Sequence, residues 1–442
     1  MQQLDLSLKI LNEILDDGVL FADSLAKLFK ANADLRPHRA VVAKLVGCEL
    51  RHHLQMEFLL KDLPLEEEEK RFAALVLANN YYSRGLDSAE CVAALKEKLG
   101  EEKLAAVQPL LDKCESREQI IPDSVELGSN EYLSLRYNTP IWVIKIWQHF
   151  GGSNTYKTLR ANQKPAPSYL RVRTSRISAE EILANPDFKA AEVADMVRYD
   201  GSTPLRKIDA YRENKLFLER PIMKKLLDAY QVHEPSEILA YNGNADPALE
   251  KELIETYGSS IGINLATPNV DEKVDVTKMI RGAGLHNVNF FSAADPLSMD
   301  VAVSRKVGLV VVAPDSTNFD LIRSTPDYLL HFKKDGMDEL FQKQKDALEG
   351  CAKYVEEDGT LIYMISTISR KEGHNTVSEF LRNHSDFVLK EEKQSFPFEE
   401  EGCAFYYAVL KQTPNLAKAE PPMSDLSAIA EPQRPALSAD SE

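Results

Sequence analysis

The sequence predicts a multi-domain α + α/β protein, with an all-helical N-terminal domain, a small linking domain, and a C-terminal α/β domain on a mostly parallel sheet. Three observations predict it. Apolar residues recur at helical spacing from Leu4 to about Leu111 with no alternating strand pattern. From Pro235 onward an apolar strand, a short loop and a helix repeat in order. Between them, proline, glycine and asparagine interrupt the chain from Glu115 to Asn138. At 442 residues the chain is also too long for one core.

The helical pattern is carried by LDLSLKILNEIL, VLFADSLAKLF and HRAVVAKLVGCELRHHLQMEFLL, enough for five or six helices. Pro37 with His38 reads as a helix start, since proline fits the first turn where its missing donor costs nothing. LEEEEKRF around Glu66 reads as a solvated helix face. IWVIKIWQHFGG is an amphipathic helix stopped by Gly151 and Gly152, with Trp142 and Trp147 expected as core anchors rather than ligand contacts.

In the C-terminal part the expected strands are EILAYN at Glu237, SIGINL at Ser260, VNFFS at Val288, VGLVVVA at Val307, TLIYMI at Thr360, DFVLK at Asp386 and AFYYAVLK at Ala404. Asp246-Pro247 and Thr267-Pro268 each place a capping side chain before a first-turn proline. The last two strands, joined without a helix, predict an antiparallel hairpin at one sheet edge. After Gln412 the chain is Pro, Ala, Ser and acidic residues, too poor in apolar surface to order itself. The expected domains are 1–125, 126–230 and 231–411, with a tail at 412–442.

Composition excludes several classes. No apolar run approaches the roughly 20 residues of a membrane span, and MQQLDLSLKI lacks the layout of a signal peptide, so a soluble, cytoplasmic protein is expected. Five cysteines, Cys48, Cys91, Cys114, Cys351 and Cys403, are scattered without metal-ligand spacing, so neither a disulfide framework nor a structural metal is expected. A net charge of −16 opposes indiscriminate binding to nucleic acid. One segment, Lys157 to Arg176, departs from this acidity with six basic residues and no acidic one. It reads either as a phosphate-contacting strand and loop, with Lys164, Arg171, Arg173 and Arg176 on phosphate and Tyr169 stacking on a base, or as a solvated charge run.

In an open parallel sheet ligands bind beyond the carboxyl ends of the strands. The first such loop runs Asn242-Gly243-Asn244-Ala245-Asp246-Pro247 and has one glycine, with Asp246 placed to cap the helix and occupy its donors. Asn264 is read as the end of the second strand, where an acidic residue would grip ribose hydroxyls. Asp295, after the third, either contacts an adenine amine or makes a turn with Pro296. Polar residues follow the fourth strand (Asp315, Ser316, Asn318, Asp320) and the fifth (Ser366, Thr367, Ser369). His374 is the nearest group that could activate a serine.

These residues resemble the RsmB/Sun branch of the RsmB/NOP family, bacterial 16S rRNA cytosine-5 methyltransferases, over nearly everything up to Lys411. NTPIWVIKIWQHFGG at Asn138 is similar to the family's HP-W-hydrophobic helix, and ANQKPAPSYLRVRTSR at Ala161 to its NN-x-x-P-x-x-LRVN segment. APDSTNFDLIRSTPD stands where the family has D-A-P-C-S-G-x-G, and GTLIYMISTIS where it has G-G-x-L-V-Y-x-T-C-S. The resemblance implies a NusB-like RNA-binding domain, a linking domain and a class I methyltransferase domain that uses S-adenosyl-L-methionine on RNA.

The departures fall on the chemistry. Family enzymes attack cytosine with the T-C-S thiolate and use a second cysteine, in A-P-C, to release the product. Here Ser366 and Asp315 occupy those slots, and Val312 and Ala240 replace acidic residues. A thiol of pKa about 8.5 supplies some thiolate at neutral pH, whereas an unassisted serine is a poor nucleophile. Asn242, Gly243, Asn264 and Asp295 are the positions left for the cofactor. The expectation is a catalytically degenerate homologue that binds RNA or the ribosome. One alternative is an active methyltransferase acting on a heteroatom through Asp315 and Asp295. A second is a module whose helical domain binds a ribosomal or transcription protein.

Overall fold

The computed structural model describes residues 2–233, 236–299, 303, 305–399 and 402–413. The helical spacing of the N-terminal part becomes α1 (Gln2–Asp17), α2 (Phe21–Ala31), α3 (Arg39–Leu50), α4 (His53–Leu60), α5 (Glu67–Ala78) and α6 (Ser88–Ser116). α3 begins directly after Pro37 and His38, as the sequence suggests. The Glu66 run is more than a solvated face. Glu66 and Glu69 form a capping box at the start of α5, and Glu69 also binds Lys103 at 2.7 Å. These helices share one core of leucines, valines and alanines, with Phe29 and Phe72 wholly buried.

Three further helices follow, α7 (Asn130–Tyr137), α8 (Ile141–Gly151) and α9 (Asn154–Asn162). The described residues divide into two compact units, one within 2–165 and 321–333, the other within 166–320 and 334–413. This two-way division falls elsewhere than the expected boundaries at 125 and 230. The proline, glycine and asparagine before α8 form turns inside the helical unit, not a linker. Asn138, at φ 48°, ends α7, donates to Leu50 O at 2.7 Å and accepts from Leu54 N at 2.9 Å, tying α7 to the α3–α4 break. Trp147 is buried as an anchor, while Trp142 is half-buried and stacks on Phe332.

The second unit opens with β1 (Ser168–Val172), α10 (Ala179–Leu183), β2 (Phe188–Ala190), β3 (Met196–Tyr199), α11 (Asp209–Arg212), β4 (Leu216–Leu218) and α12 (Pro221–Ala229). Its four strands make an antiparallel sheet ordered β2-β3-β1-β4. Then come β5 (Ile238–Asn242), α13 (Ala248–Tyr257), β6 (Ile263–Thr267), α14 (Val274–Ala283), β7 (Val288–Ser292) and β8 (Val307–Ala313). After α15 (Tyr328–His331), which belongs to the helical unit, follow α16 (Met337–Ala352), β9 (Val355–Ile365), α17 (Thr376–Asn383), β10 (Phe387–Ser395) and β11 (Phe405–Gln412).

The large sheet runs β10-β11-β9-β8-β5-β6-β7. β5, β6, β7, β8 and β9 pair in parallel, and β11 is antiparallel to both β9 and β10, the expected edge hairpin. Both faces are covered. Ile238 and Ala240 of β5 enter one core, while Leu239 and Tyr241 enter the other, as the two-residue strand period requires.

Asp246 accepts from Ala248 N at 3.1 Å in a turn just before α13, but Pro247, expected in the first turn, is itself the N-cap, and no side chain caps the helix. Thr267-Pro268 does not start a helix. Thr267 is the last residue of β6, paired with Ser292, and α14 begins only at Val274 after a short turn capped by Asn269. The expected tail lies outside the described residues from 414 onward. Among the described residues no helix is long and apolar enough to cross a membrane, and no cluster of metal-ligating side chains occurs.

Candidate functional site

The strand order reverses between β5 and β8, because the chain steps out through β6 and β7 and returns on the other side. The crevice for a ligand belongs beyond the carboxyl ends of these two strands. The β5 loop occupies it with its own bonds. Gly243 N donates to Ala313 O at 2.9 Å, and a Cβ at Gly243 would stand 2.7 Å from Asp315 N, so the bare glycine serves loop-to-loop packing. Asn244 Nδ2 donates to the carbonyls of Ala313 and Pro314, each at 3.1 Å.

Beneath this loop lies a buried polar network. Asn242 Nδ2 donates to Glu250 Oε2 at 2.7 Å and to Asp246 O at 2.9 Å. Lys273 Nζ donates to Glu250 Oε1 at 2.5 Å and to Asn242 O at 3.3 Å. Asn242, Glu250 and Lys273 are 2%, 1% and 4% exposed, so the charges are matched by each other and not by water. Burial pushes the Glu250 carboxyl up, opposed by Lys273 and Asn242. The one buried side-chain atom of the loop without a partner is Asn244 Oδ1, an acceptor, which cannot receive a ligand carboxylate. These residues do not fit S-adenosylmethionine, whose carboxylate needs free donors and whose ribose needs an acidic strand end.

Asn264 is not that strand end. It is the second residue of β6, and it contacts Glu237 and Asn289 at the amino edge of the sheet. The pairing of Ala266 and Thr267 with β7 carries the strand two residues past the expected Leu265, so Thr267, buried and uncharged, takes the ribose position. Asp295 makes the turn. It accepts from Leu297 N at 2.9 Å and Ser298 Oγ at 2.8 Å, and these bonds, Ser298 foremost, hold its carboxyl below the usual range.

Asp315 lies two residues past β8, exposed, and accepts from Ser316 N and from Asn318 Nδ2. Ser366 is the first residue past β9. His374 does not activate it, because its ring bonds Glu392 at 2.8 Å and Ser378 at 3.4 Å. Cys351 and Cys403 are buried in the α/β core, and Cys48, Cys91 and Cys114 lie in the helical unit, so no thiol replaces the missing ones.

The two loops are joined by Glu372, which is fully buried. Its carboxyl accepts from Thr317 N at 2.8 Å and Gln344 Nε2 at 3.0 Å. Oε1 also forms a triangle with Thr317 Oγ1 at 2.7 Å and Thr367 Oγ1 at 2.9 Å, and the hydroxyls lie 2.7 Å apart. Burial pushes the Glu372 carboxyl up, opposed by the hydrogen bonds it accepts from Thr317, Gln344 and Thr367. The β8 and β9 loops are thus held together through one buried carboxyl.

The basic segment divides in two. Arg171 and Arg173 are 4% and 2% exposed, which removes them as phosphate contacts. Arg171 Nε donates to Glu252 at 3.0 Å and Arg173 Nε to Glu255 at 2.9 Å. Residues two apart on a strand share a face, and residues three apart on a helix share another, so β1 docks on α13 through two ion pairs. Lys164 and Arg176 are exposed and Tyr169 is partly exposed, so these three remain available. Glu250, Lys273 and Glu372 did not figure among the expected site residues. Only the absence of an acidic partner near the arginines hinted that their partners lay elsewhere in the chain.

No family model matches the chain. A ribosomal RNA small subunit methyltransferase B from Xanthomonas campestris pv. campestris is 23% identical over 296 residues, covering 61% of this chain and 66% of that protein. The counterpart from Escherichia coli (strain SE11) is 22% identical over 292 residues, again 66% of its length. The chain therefore spans just under two thirds of these relatives. The crystal structure of PH0851 matches with a TM-score of 0.69 at 17% identity, covering 92% of this chain and 97% of that one. NSun6 from Pyrococcus horikoshii, crystallised with SFG, matches at 0.55 with 11% identity, covering 62% of this chain and 99% of that one.

Proposed function

We propose that this chain, a divergent homologue of the RsmB/NOP rRNA methyltransferases, is a cytoplasmic RNA-binding factor that has kept the fold and lost methyl transfer. The observation that carries the reading is the crevice at β5 and β8. There Asn242, Glu250 and Lys273 bond one another and Asn244 bonds the β8 loop, in the place a cofactor would need. The reaction residues point the same way, since Asp315 and Ser366 stand in the slots of the two family cysteines. The relatives' names supply the RNA class, and ribosomal RNA is the target we assign.

Lys164, Tyr169 and Arg176 are the surface residues of the basic segment proposed to meet RNA, through phosphate charge and stacking on a base. The test is paired. The purified protein is incubated with small-subunit rRNA and S-adenosylmethionine labelled in the methyl group, and its binding to the same RNA is measured separately. Binding that weakens with salt, without label transfer, is the expected result. Transfer of label at a rate above the protein-free control overturns the proposal, and absence of RNA binding removes its other half.

A further inference from the structure

The second unit contains a cavity of about 330 Å³ that no part of the methyltransferase chemistry uses. Its wall brings together Tyr169 of β1, Lys189 of β2, Arg198 of β3, Lys225 of α12, and Lys393 and Ser395 of β10. Four cations from four elements converge on one space in a chain of net charge −16. Sequence distance conceals this, because only Tyr169 belongs to the basic segment. Glu192 and Glu399 also line the cavity, and Asp200 holds Lys189 at 2.6 Å and Arg198 at 2.9 Å. Lys393 makes no ion pair among the described residues.

Tyr169 and Arg198 are direct cross-strand partners, so the aromatic ring and a guanidinium stand side by side at the wall. β10 is antiparallel to β11, which is antiparallel to β9. β10 therefore runs parallel to β9, and its last residue, Ser395, lies at the same sheet edge as the carboxyl ends of β5 and β8. One residue of the cavity wall, Ser395, thus lies at the edge where the β8 and β9 loops sit.

We infer that this cavity holds one nucleotide of a single-stranded RNA, its base against Tyr169 and its phosphates between Lys225 and Lys393. The volume lies within the range of small-molecule sites, and an aromatic face with cations at its margin is the chemistry that holds single strands without reading sequence. The inference rests on the RNA-binding reading above and narrows it to one place.

The experiment uses the full chain and a fluorescein-labelled single-stranded decaribonucleotide of mixed sequence, read by anisotropy, with a small-subunit rRNA fragment as a second probe. Tyr169→Ala is expected to weaken decamer binding by about tenfold or more. Tyr169→Phe keeps the ring and stays near wild type. Lys225→Ala with Lys393→Ala lowers the salt dependence by about one to two in slope on a logarithmic plot. The altered side chains are at least partly exposed, and unchanged thermal melting confirms that each variant is folded. If all variants bind the decamer as wild type does while the rRNA fragment still binds, the cavity is not the site and the RNA reading stands. If wild type binds neither probe, both fall. If adenosine monophosphate displaces the decamer at an equal concentration of nucleotide residues, the occupant is a free nucleotide and the strand is overturned.

Discussion

Glu372 gives the residue scale its sharpest test. Burial pushes its carboxyl up, against the hydrogen bonds from Thr317, Gln344 and Thr367 that favour the charged form. A folded-state pKa raised above the unfolded value contributes stability that is complete below the unfolded value and is lost as pH rises through the folded one. Glu372→Gln does not titrate, so the stability of wild type relative to this variant should fall as pH rises from about 4.5 toward neutral. Urea unfolding at a series of pH values measures it. A difference that stays constant across that range would mean that Glu372 is ionised in the folded protein. The triangle was not legible in the sequence. Thr367 is close to Glu372 in the chain, but Thr317 and Gln344 come from the β8 loop and α16, and only the parallel pairing of β8 with β9 brings them together.

At the scale of elements, α13 does what the sequence seemed to assign to a ligand and to RNA. Glu250 faces Asn242 and Lys273, Glu252 faces Arg171 and Lys224, and Glu255 faces Arg173. Removing one partner of a buried ion pair leaves a buried charge unanswered, at a cost of ~3–5 kcal/mol. Arg173→Ala should therefore lower unfolding free energy by that order, while the exposed Arg176→Ala leaves it nearly unchanged. Equal stability of the two variants would contradict the burial of Arg173. The strand-helix alternation and the edge hairpin were legible because period and connection length are local properties. The end of β6 was not, since Thr267 before Pro268 reads equally well as a helix cap, and pairing with β7 is what carries the strand to it. The arginines misled for a similar reason, as their acidic partners lie some 80 residues further along the chain.

For the whole molecule, the proposal joins two observations: Ser366 and Asp315 in the slots the resemblance gives to cysteines, and a loop after β5 whose side chains bond one another and the β8 loop. The first was visible in the sequence, because cysteines are easily counted. The second was visible only as a missing glycine pattern, and the fill by Lys273 and Glu250 came with the fold. The cations proposed to meet RNA come from several elements, while α1 carries Asp5, Glu13, Asp16 and Asp17 along a cavity that would repel phosphate. The central claim is that the crevice no longer admits the cofactor. Isothermal titration of the folded protein with S-adenosylmethionine and S-adenosylhomocysteine tests it most directly. The predicted result is no saturable heat with either compound, and binding in the micromolar range would contradict it.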